Sequence, residues 1–449
     1  MKHLLPSLAS LGRVVGAATL LAAVLALTGG PSQAADKQIT LSWWSTPAWP
    51  VNGDVYYWQK SMIQAFEETH PNVKIKLTQL DWASATTKLD TAIMARQFPD
   101  VATGAQKVAT WAKYGILEPI DPYLTPQDRA DYYPVALKKF TYQGKIYGWP
   151  WFTTTYVIYL NLDIFKERGI EPPKDGNWTW DEFVETAKKL TFKDKNGQQV
   201  YGFGAIMQPF YYQAFGILLS DSGQLLSPDE VRFGLNTAEG VSGLQKLVDL
   251  VQKYKVSPLA MGSAQDADMT KMFTDGHLAM LAQGTFYIRQ LEKALEGQTE
   301  GFQGTPQATK PFPFAVANYP IGKLGRPISL HEGVGGFVVF KHDDKDRVKA
   351  AMEFARFLTS PENQKALTNY GTFPSRRSVG DIYTDDPYLS WALRNAVPTL
   401  DVPPVTPSWL EVDKAIVPYF QLAILGKQSS EEAMANAARA ADAILKVSR

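Results

Sequence analysis

Side chains that bind metals or cofactors are sparse in this sequence. It has no cysteine, and its five histidines are His3, His70, His277, His331 and His342. No two histidines have the spacing of a metal-binding pair, and without a thiolate no zinc site is expected. The sequence also lacks the glycine-rich loop that cradles phosphate and the G-x-S-x-G turn that presents a nucleophile. We therefore predict neither a metal nor a cofactor.

The run Gly333-Val334-Gly335-Gly336 is the nearest approach to a dinucleotide-binding fingerprint. The sixth position of that fingerprint is Val338 here, and no clear strand precedes the run. We predict instead a loop whose backbone can approach a ligand closely, with Gly335 as a candidate contact.

Paired carboxylates are the one catalytic arrangement that the sequence leaves open. Glycosidases place two carboxyl groups about 5–10 Å apart across a cleft, and the two need not be close in the chain. Asp81, Asp100 and Glu332 are the first candidates, although Asp100 follows Pro99 and its position favours a turn or a cap. A carbohydrate-active enzyme is therefore one alternative.

Aromatic residues are abundant, with 12 tryptophans and 20 tyrosines. Several fall where a predicted strand should end, namely Trp43, Trp44, Trp149 and Trp151. Open α/β sheets bind ligands beyond the carboxyl ends of their strands. Each tryptophan alone is explained by a core or rim position. The cluster, however, favours a sugar ligand, because a sugar ring presents an apolar C–H face that stacks on aromatic planes.

Strands and helices alternate along the chain. Residues 39–44 predict a strand, and Trp58, Met62 and Phe66 then recur every four residues on one helix face. Val73 and Ile75 alternate with lysines, which indicates a half-buried strand. The same alternation continues towards the carboxyl terminus and predicts an α/β sheet with helices on both faces.

The length of 449 residues, 45% of them hydrophobic, favours two domains. Basic and acidic residues balance at 45 each, so the basic stripe of a nucleic-acid-binding protein is not expected.

The amino terminus has the features of a secretory signal peptide. Lys2 and Arg13 are basic, residues 14–27 are almost wholly apolar, and Ser32-Gln33-Ala34 provides small residues for cleavage. The apolar stretch would span about 21 Å as a helix, against about 30 Å for a hydrocarbon core. We expect residues 1–34 to be removed. Without cysteine there is no lipid attachment site and no disulfide, so the mature protein should be free in the periplasm or an equivalent extracytoplasmic space.

Several segments together resemble family 1 extracellular solute-binding proteins, the group that includes the maltose-binding proteins. They occur in the family's order, and the resemblance covers essentially the whole mature chain. The segments are 111–121 (WAKYGILEPID), 144–150 (GKIYGWP), 159–165 (YLNLDIF), Pro172-Pro173 with Thr179-Trp180-Asp181-Glu182, 273–280 (FTDGHLAM) and 354–364 (FARFLTSPENQ).

The resemblance implies a two-lobe periplasmic-binding-protein fold of α/β class, with a mixed sheet in each lobe and a ligand cleft between the lobes. Crossover strands would act as a hinge. The amino-terminal lobe would comprise 35–152 and 335–367, and the carboxyl-terminal lobe 153–334 and 368–449. It also implies a monomeric, non-enzymatic protein that closes on a carbohydrate and docks on the permease of an ABC importer.

The family's ligand contacts transfer to this sequence position by position. They suggest Trp43-Trp44-Ser45-Thr46 at the first strand, Gln106, Trp151 and Thr154, Tyr211 or Tyr212, Gly284 with Phe286, and Trp409. The chain departs from maltose binders where they carry acidic contacts, near Gln106 and after Pro150. The sugar class is therefore retained while the particular sugar stays open.

Two ligand classes suit such a cleft. Threonine, glutamine and backbone groups suit a neutral oligosaccharide. An anionic solute such as a glycerophosphodiester or a uronate would require cations, for which Arg376 and Arg377 are the candidates. We favour the neutral oligosaccharide and keep the anionic solute as an alternative.

Overall fold

The computed structural model describes residues 37–49, 51–81, 84–104, 106–297 and 311–447, so the predicted signal peptide lies outside the described residues. The strands are β1 (Ile39–Ser45), β2 (Val73–Gln79), β3 (Val101–Thr103), β4 (Thr141–Tyr142), β5 (Lys145–Ile146), β6 (Trp149–Thr153), β7 (Tyr156–Asn161), β8 (Phe192–Lys193), β9 (Gln199–Val200), β10 (Met280–Gly284), β11 (Phe314–Ala317), β12 (Ser329–Leu330), β13 (Val334–Val339), β14 (Phe373–Pro374) and β15 (Leu400–Asp401).

The helices alternate with these strands as predicted. They are α1 (Tyr57–Thr69), α2 (Ala85–Met94), α3 (Val108–Lys113), α4 (Pro126–Asp131), α5 (Pro134–Phe140), α6 (Leu162–Glu167), α7 (Trp180–Lys189), α8 (Phe215–Leu218), α9 (Ala238–Gln252), α10 (Asp266–Thr274), α11 (Tyr287–Leu295), α12 (Lys345–Leu358), α13 (Pro361–Gln364), α14 (Pro387–Trp391), α15 (Trp409–Ile424) and α16 (Ser430–Val447). Within the described residues, none of these helices combines the length and apolar character needed to cross a bilayer.

Local sequence explains where α7 begins. The Thr179 hydroxyl accepts a hydrogen bond from the Glu182 amide at 3.3 Å, and the Glu182 carboxylate accepts one from the Thr179 amide at 2.8 Å. This capping box satisfies two amides that the first helical turn leaves without partners, and it confirms the prediction made from Thr179-Trp180-Asp181-Glu182.

The larger sheet has six strands in the order β14-β6-β13-β3-β1-β2. β1 runs parallel to β2 and β3, whereas β13 runs antiparallel to β3 and β6. The carboxyl ends of β1, β3 and β6 and the first residue of β13, Val334, therefore meet at one edge.

The second sheet has the order β10-β7-β11, with β7 antiparallel to both neighbours. Its central strand is buried along its whole length, as expected for a strand covered on both faces. Gly284 at the end of β10 pairs with Tyr156 at the start of β7. The chain passes from the first sheet to this edge through Thr154 and Thr155 alone.

Each sheet lies in its own hydrophobic cluster, and Ile382 packs against both. The lobe boundaries stay a prediction, and two further features bear on them. The pair Leu400 and Val402 packs in the first cluster, although 368–449 was assigned to the second lobe. Strand β14, from the same segment, pairs with β6 in the first sheet.

Candidate ligand-binding site

A cavity of about 250 Å³ lies at the edge of the first sheet where β1, β3 and β6 end and β13 begins. Strand ends of α/β sheets are where ligands bind. The lining is mostly hydroxyl, amide and apolar: Thr46, Ala85, Thr86, Leu89, Thr103, Gly104, Gln106, Lys107, Trp111, Phe152, Thr154, His331, Glu332, Gly333, Val334 and Gly335. A larger, more open depression of about 640 Å³, formed by α7, β8, β9 and residues 251–259, shares no lining residue with it.

Two glycines make room for the aromatic rings of this cavity. A Cβ at Gly335 would lie 2.2 Å from Cε1 of Phe152, and one at Gly104 would lie 2.9 Å from Cζ3 of Trp111. Only glycine allows rings to approach these strands so closely. The predicted loop at Gly335 is wrong, because the residue belongs to β13, but its backbone does line the cavity.

Three predicted polar contacts, Thr46, Gln106 and Thr154, line the cavity. Ser45 is buried beneath it, where its hydroxyl donates to the Thr46 carbonyl at 3.0 Å. Gln59, which sequence reasoning missed, donates to the same carbonyl at 2.7 Å. Ser45 and Gln59 therefore fix the strand end that presents Thr46.

The predicted first-lobe tryptophans do not come together at the cavity. Trp43 is fully buried, with its ring 5.1 Å from that of Phe354, and Trp151 is stacked 4.3 Å from Trp58 in the same core. Successive strand residues face opposite sides, so Trp44 points away from Trp43 and lines a separate depression under α2. We leave these three tryptophans out of the proposed site.

Trp111 and Phe152 supply the aromatic surfaces instead. Phe152 follows Trp151 on β6, and its ring lines the cavity while lying 5.2 Å from the Trp151 ring. Its place directly after the predicted contact Trp151 was the one signal that could have identified Phe152. Trp111 lies in a segment quoted for the family resemblance, but nothing in its spacing marked it as a cavity residue.

A second wall is formed by residues in and around the second hydrophobic cluster. The contacts predicted there do not line the cavity itself: Tyr211, Tyr212, Gly284, Phe286 and Trp409. Tyr156 at the start of β7 places its ring 4.3 Å from that of His331. Tyr212 and Trp409 are both buried, and the Trp409 indole Nε1 donates to the Tyr212 hydroxyl at 3.0 Å. Tyr211, by contrast, is 46% exposed. Of these predicted contacts, Tyr211 has the ring surface that a ligand can reach directly.

The end of β10 forms the neighbouring part of this wall. The Gly284 carbonyl accepts from the Tyr159 hydroxyl at 2.8 Å, and a Cβ at Gly284 would lie 2.1 Å from the half-buried ring of Phe286. Behind it, the amide of Gln283 donates to the Asp266 carboxylate at 2.8 Å. These contacts hold Phe286 over the strand end, packed against the second core.

Charged groups meet at the crossover into β13. Glu332 forms an ion pair with Lys139, whose side chain is buried. Burial, aided by the charge of Lys139, lowers the pKa of His331 to about 3. Its Nδ1 accepts from the Gly333 amide at 2.7 Å and lies 3.2 Å from the Thr154 hydroxyl. His331 is therefore neutral at physiological pH, with its proton on Nε2.

Asp413, one helical turn after Trp409, is a fully buried carboxylate of the second lobe. Its Oδ2 accepts from the Phe210 amide at 2.6 Å, while its buried Oδ1 has no hydrogen-bond partner among the described residues. Burial raises the pKa of Asp413 to about 7, and the charge of Glu332 adds to the effect. Burial raises the pKa of Tyr212 as well, and the charges of Asp413 and Glu332 add to the effect.

The two arginines predicted as ligand-binding cations contact other groups of the protein, away from the cavity. Arg376 is buried, contacts the carboxylates of Asp128 and Asp131 at 3.0 and 3.3 Å, and lies 4.0 Å over the Tyr132 ring. Arg377 lies 4.8 Å over a tyrosine ring. Neither residue lines the cavity, and we leave Arg376 out of the proposed site.

Two of the three candidate catalytic acids also have structural partners. Asp81 is exposed and accepts from the Ser84 amide at 2.8 Å, and Asp100 forms an ion pair with Arg347 at 2.5 Å. Glu332 alone of the three lines the cavity.

Comparisons with known proteins agree with this architecture. The family model described as bacterial extracellular solute-binding protein matches residues 61–393. A galactooligosaccharide-binding protein of Bacillus subtilis is 24% identical over 410 residues, covering 86% of each chain. The structure of a cyclic alpha-maltosyl-1,6-maltose binding protein from Arthrobacter globiformis superposes with a TM-score of 0.75 at 22% identity, covering 91% of this chain and 100% of that one. The sugar-binding protein MalE from Xanthomonas citri gives 0.74 at 21% identity, covering 91% and 98%. The predicted two-lobe α/β fold is confirmed.

Proposed function

Because the chain belongs to the family of bacterial extracellular solute-binding proteins, we propose that it binds a neutral oligosaccharide between its lobes and delivers it to the permease of an ABC importer. The observation that carries the proposal is the chemistry of the cavity. Its hydroxyl and amide groups alternate with the rings of Trp111 and Phe152. Sugar hydroxyls and C–H faces match those two kinds of surface.

The charges of the cavity favour a neutral ligand over an anion. Among the described residues that line it, the cation is Lys107, and this lysine forms an ion pair with Asp90. His331 is neutral, and the nearby Lys139 pairs with Glu332. A phosphodiester or uronate would therefore bury its charge beside Glu332 without a cation to compensate, which is strongly unfavourable.

The affinity of such a site depends on whether every buried polar group of the ligand finds a hydrogen-bond partner. A buried hydroxyl left without a partner costs about 1–3 kcal/mol, so a sugar must find an acceptor or donor for each of its hydroxyls. Glu332, Gln106 and the threonines of the cavity supply these groups. The names of the relatives and structural neighbours, which bind galactooligosaccharides, a cyclic maltosyl sugar and other sugars, support the same ligand class.

As a member of this family the protein acts outside the cytoplasm. We propose further that it is a monomer released into the extracytoplasmic space by cleavage after Ala34, since it has no cysteine for lipid attachment. Fractionated cells should yield the protein in the soluble extracytoplasmic pool, with an amino terminus near Ala35. An intact amino terminus in the membrane fraction would contradict this.

A thermal-shift screen of the mature protein against neutral oligosaccharides, uronates and glycerophosphodiesters tests the ligand class. A ligand at 100 times its dissociation constant should stabilise the protein by about 2.7 kcal/mol. Stabilisation by an anion, without any by a neutral sugar, would refute the proposal.

The same sample tests whether the protein binds without catalysis. Its tightest glycan should be recovered unchanged by chromatography after long incubation. Hydrolysis that scales with wild-type protein and disappears in Glu332→Gln would instead establish the enzymatic alternative.

A further inference from the structure

The aromatic turn 208–211 of the second lobe has an unusual backbone. Gln208 and Tyr211 pair across it, with Pro209 at its second position and Phe210 at its third. Phe210 has φ of 69°, in the left-handed region that a third turn position with positive φ normally fills with glycine or asparagine. Phenylalanine is strained there, so neighbouring contacts must hold the turn in this shape.

Those contacts come largely from one face of α15. Asp413 accepts from the Phe210 amide at 2.6 Å, Gln421 donates to the Met207 carbonyl at 2.7 Å, and Trp409 donates to the residue after the turn, Tyr212. These three helix residues lie four and eight positions apart, on one side of the helix. The chain on either side of the strained residue is thereby tied to α15, through the Met207 backbone before the turn and through the Tyr212 side chain after it.

The turn exposes both of its aromatic residues. Phe210 is 36% exposed and Tyr211 is 46% exposed. Tyr211 is next in the chain to the buried Tyr212, whose hydroxyl accepts from Trp409. Of the two tyrosines predicted to contact the ligand, Tyr211 is therefore the one whose ring the turn leaves accessible.

We propose that Asp413 is a positioning residue for ligand binding: its carboxylate holds Phe210 in the left-handed conformation, so that Tyr211 is presented to the ligand. This proposal rests on the proposed function for its ligand, but the turn itself can be tested in the free protein. The contact is a short hydrogen bond from a part-buried amide to a buried carboxyl oxygen, and its loss leaves the backbone strain uncompensated.

Hydrogen–deuterium exchange of the free protein tests whether Asp413 holds the turn 208–211 in place. In Asp413→Leu, amides of residues 207–212 should exchange about 10- to 100-fold faster, the effect of leaving an amide without its hydrogen-bond acceptor. Peptides from β7 and α16 should keep their rates and serve as the internal reference. Asp413→Asn retains an acceptor of the same shape and should stay within a few-fold of wild type.

A second substitution distinguishes a clamp on a strained turn from general packing. Glycine adopts positive φ without strain, so Phe210→Gly should make the turn insensitive to Asp413→Leu. Unchanged exchange at 207–212 in Asp413→Leu would overturn the proposal. So would acceleration of equal size in the wild-type and Phe210→Gly backgrounds.

Calorimetry with maltotriose and a galacto-oligosaccharide tests the link to the ligand. For whichever sugar binds wild type, Tyr211→Ala and Asp413→Leu should each lower affinity by up to about thirtyfold, and the double variant should lose no more than either single one. Additive losses, or full affinity in Asp413→Leu, would refute the positioning role. If neither sugar nor any other glycan binds wild type, the proposed function fails, while the exchange data still decide whether Asp413 holds the turn.

Discussion

The adjacent residues Trp151 and Phe152 allow a test in which each residue is the control for the other. The Trp151 ring lies in the core, 3% exposed and stacked 4.3 Å from Trp58. The half-buried Phe152 ring touches it at 5.2 Å but lines the cavity against Gly335. The same truncation at neighbouring positions should therefore have opposite effects on folding and binding.

Phe152→Ala should weaken binding of the best glycan strongly but lower the free energy of unfolding only slightly. Truncating an aromatic anchor commonly costs about 2 kcal/mol of binding energy, which is about thirtyfold. Trp151→Ala opens a cavity in the core and should lower the free energy of unfolding by about 3–5 kcal/mol. The molecules that remain folded should bind with nearly wild-type affinity.

Titration calorimetry and urea unfolding of the two variants measure the two quantities separately. Phe152→Leu keeps apolar volume but loses the flat ring, so it should bind between wild type and Phe152→Ala while melting like wild type. Wild-type affinity in Phe152→Ala would remove this cavity from the binding site. Lost affinity with unchanged stability in Trp151→Ala would restore the tryptophan that we left out.

Three further substitutions test the polar groups of the site. Trp409→Phe deletes the indole N–H that Tyr212 accepts, and thermal unfolding should show a loss of about 1–3 kcal/mol. Burial raises the pKa of Asp413 from 3.8 to about 7. The stability from its bound proton is therefore full below about pH 4 and lost as the pH rises through about 7. Denaturant unfolding should find Asp413→Asn equal to wild type near pH 4 and more stable by up to about 4 kcal/mol at pH 8; parallel pH profiles for the two proteins would contradict that. Lys139→Met leaves Glu332 in a largely buried position without its cation, which should cost about 3 kcal/mol. Adding Glu332→Gln should recover part of that loss in the same unfolding assay.

Patterns confined to short stretches of sequence predicted much of the fold. The alternation of Val73 and Ile75 with lysines gave β2, and the capping residues Thr179 and Glu182 gave the start of α7. Family-like segments gave the two-lobe arrangement. In each case the interactions that determine the structure join residues close together in the sequence, so a local sequence pattern is enough to predict them.

The aromatic contacts were harder to predict, because a residue type that suits sugar stacking also suits a position in the core. Trp43 and Trp151 have the chemistry of a sugar platform, yet strand alternation turns both into the core, where large apolar rings gain most from burial. Trp409 was predicted as a ligand contact. It is 3% exposed and bonded to Tyr212, so its ring supports the wall from behind.

Contacts between distant segments left no signal in the sequence. Lys139 and Glu332 are 193 positions apart, and Phe210 and Asp413 are 203 apart. Nothing local marks Asp413 as buried, since its helix neighbours include charged residues such as Lys414. Such pairs become visible only once the chain has folded, and here they supply most of the charge at the site.

Residues in the two crossovers between the sheets also line the cavity, so ligand binding is expected to affect the movement of the lobes. Thr154 lies between β6 and β7 and Gly333 directly before β13, and the Thr154 amide donates to the Gly333 carbonyl at 2.6 Å. Both residues also line the cavity. They lie in the segments predicted to act as the hinge, so a ligand that contacts them is expected to favour the closed state through differential contacts. The neighbouring His331 stays neutral because its pKa is lowered to about 3. Closure of this crossover should consequently be insensitive to His331 protonation across the physiological pH range, with Asp413 on the opposite wall as the group that titrates.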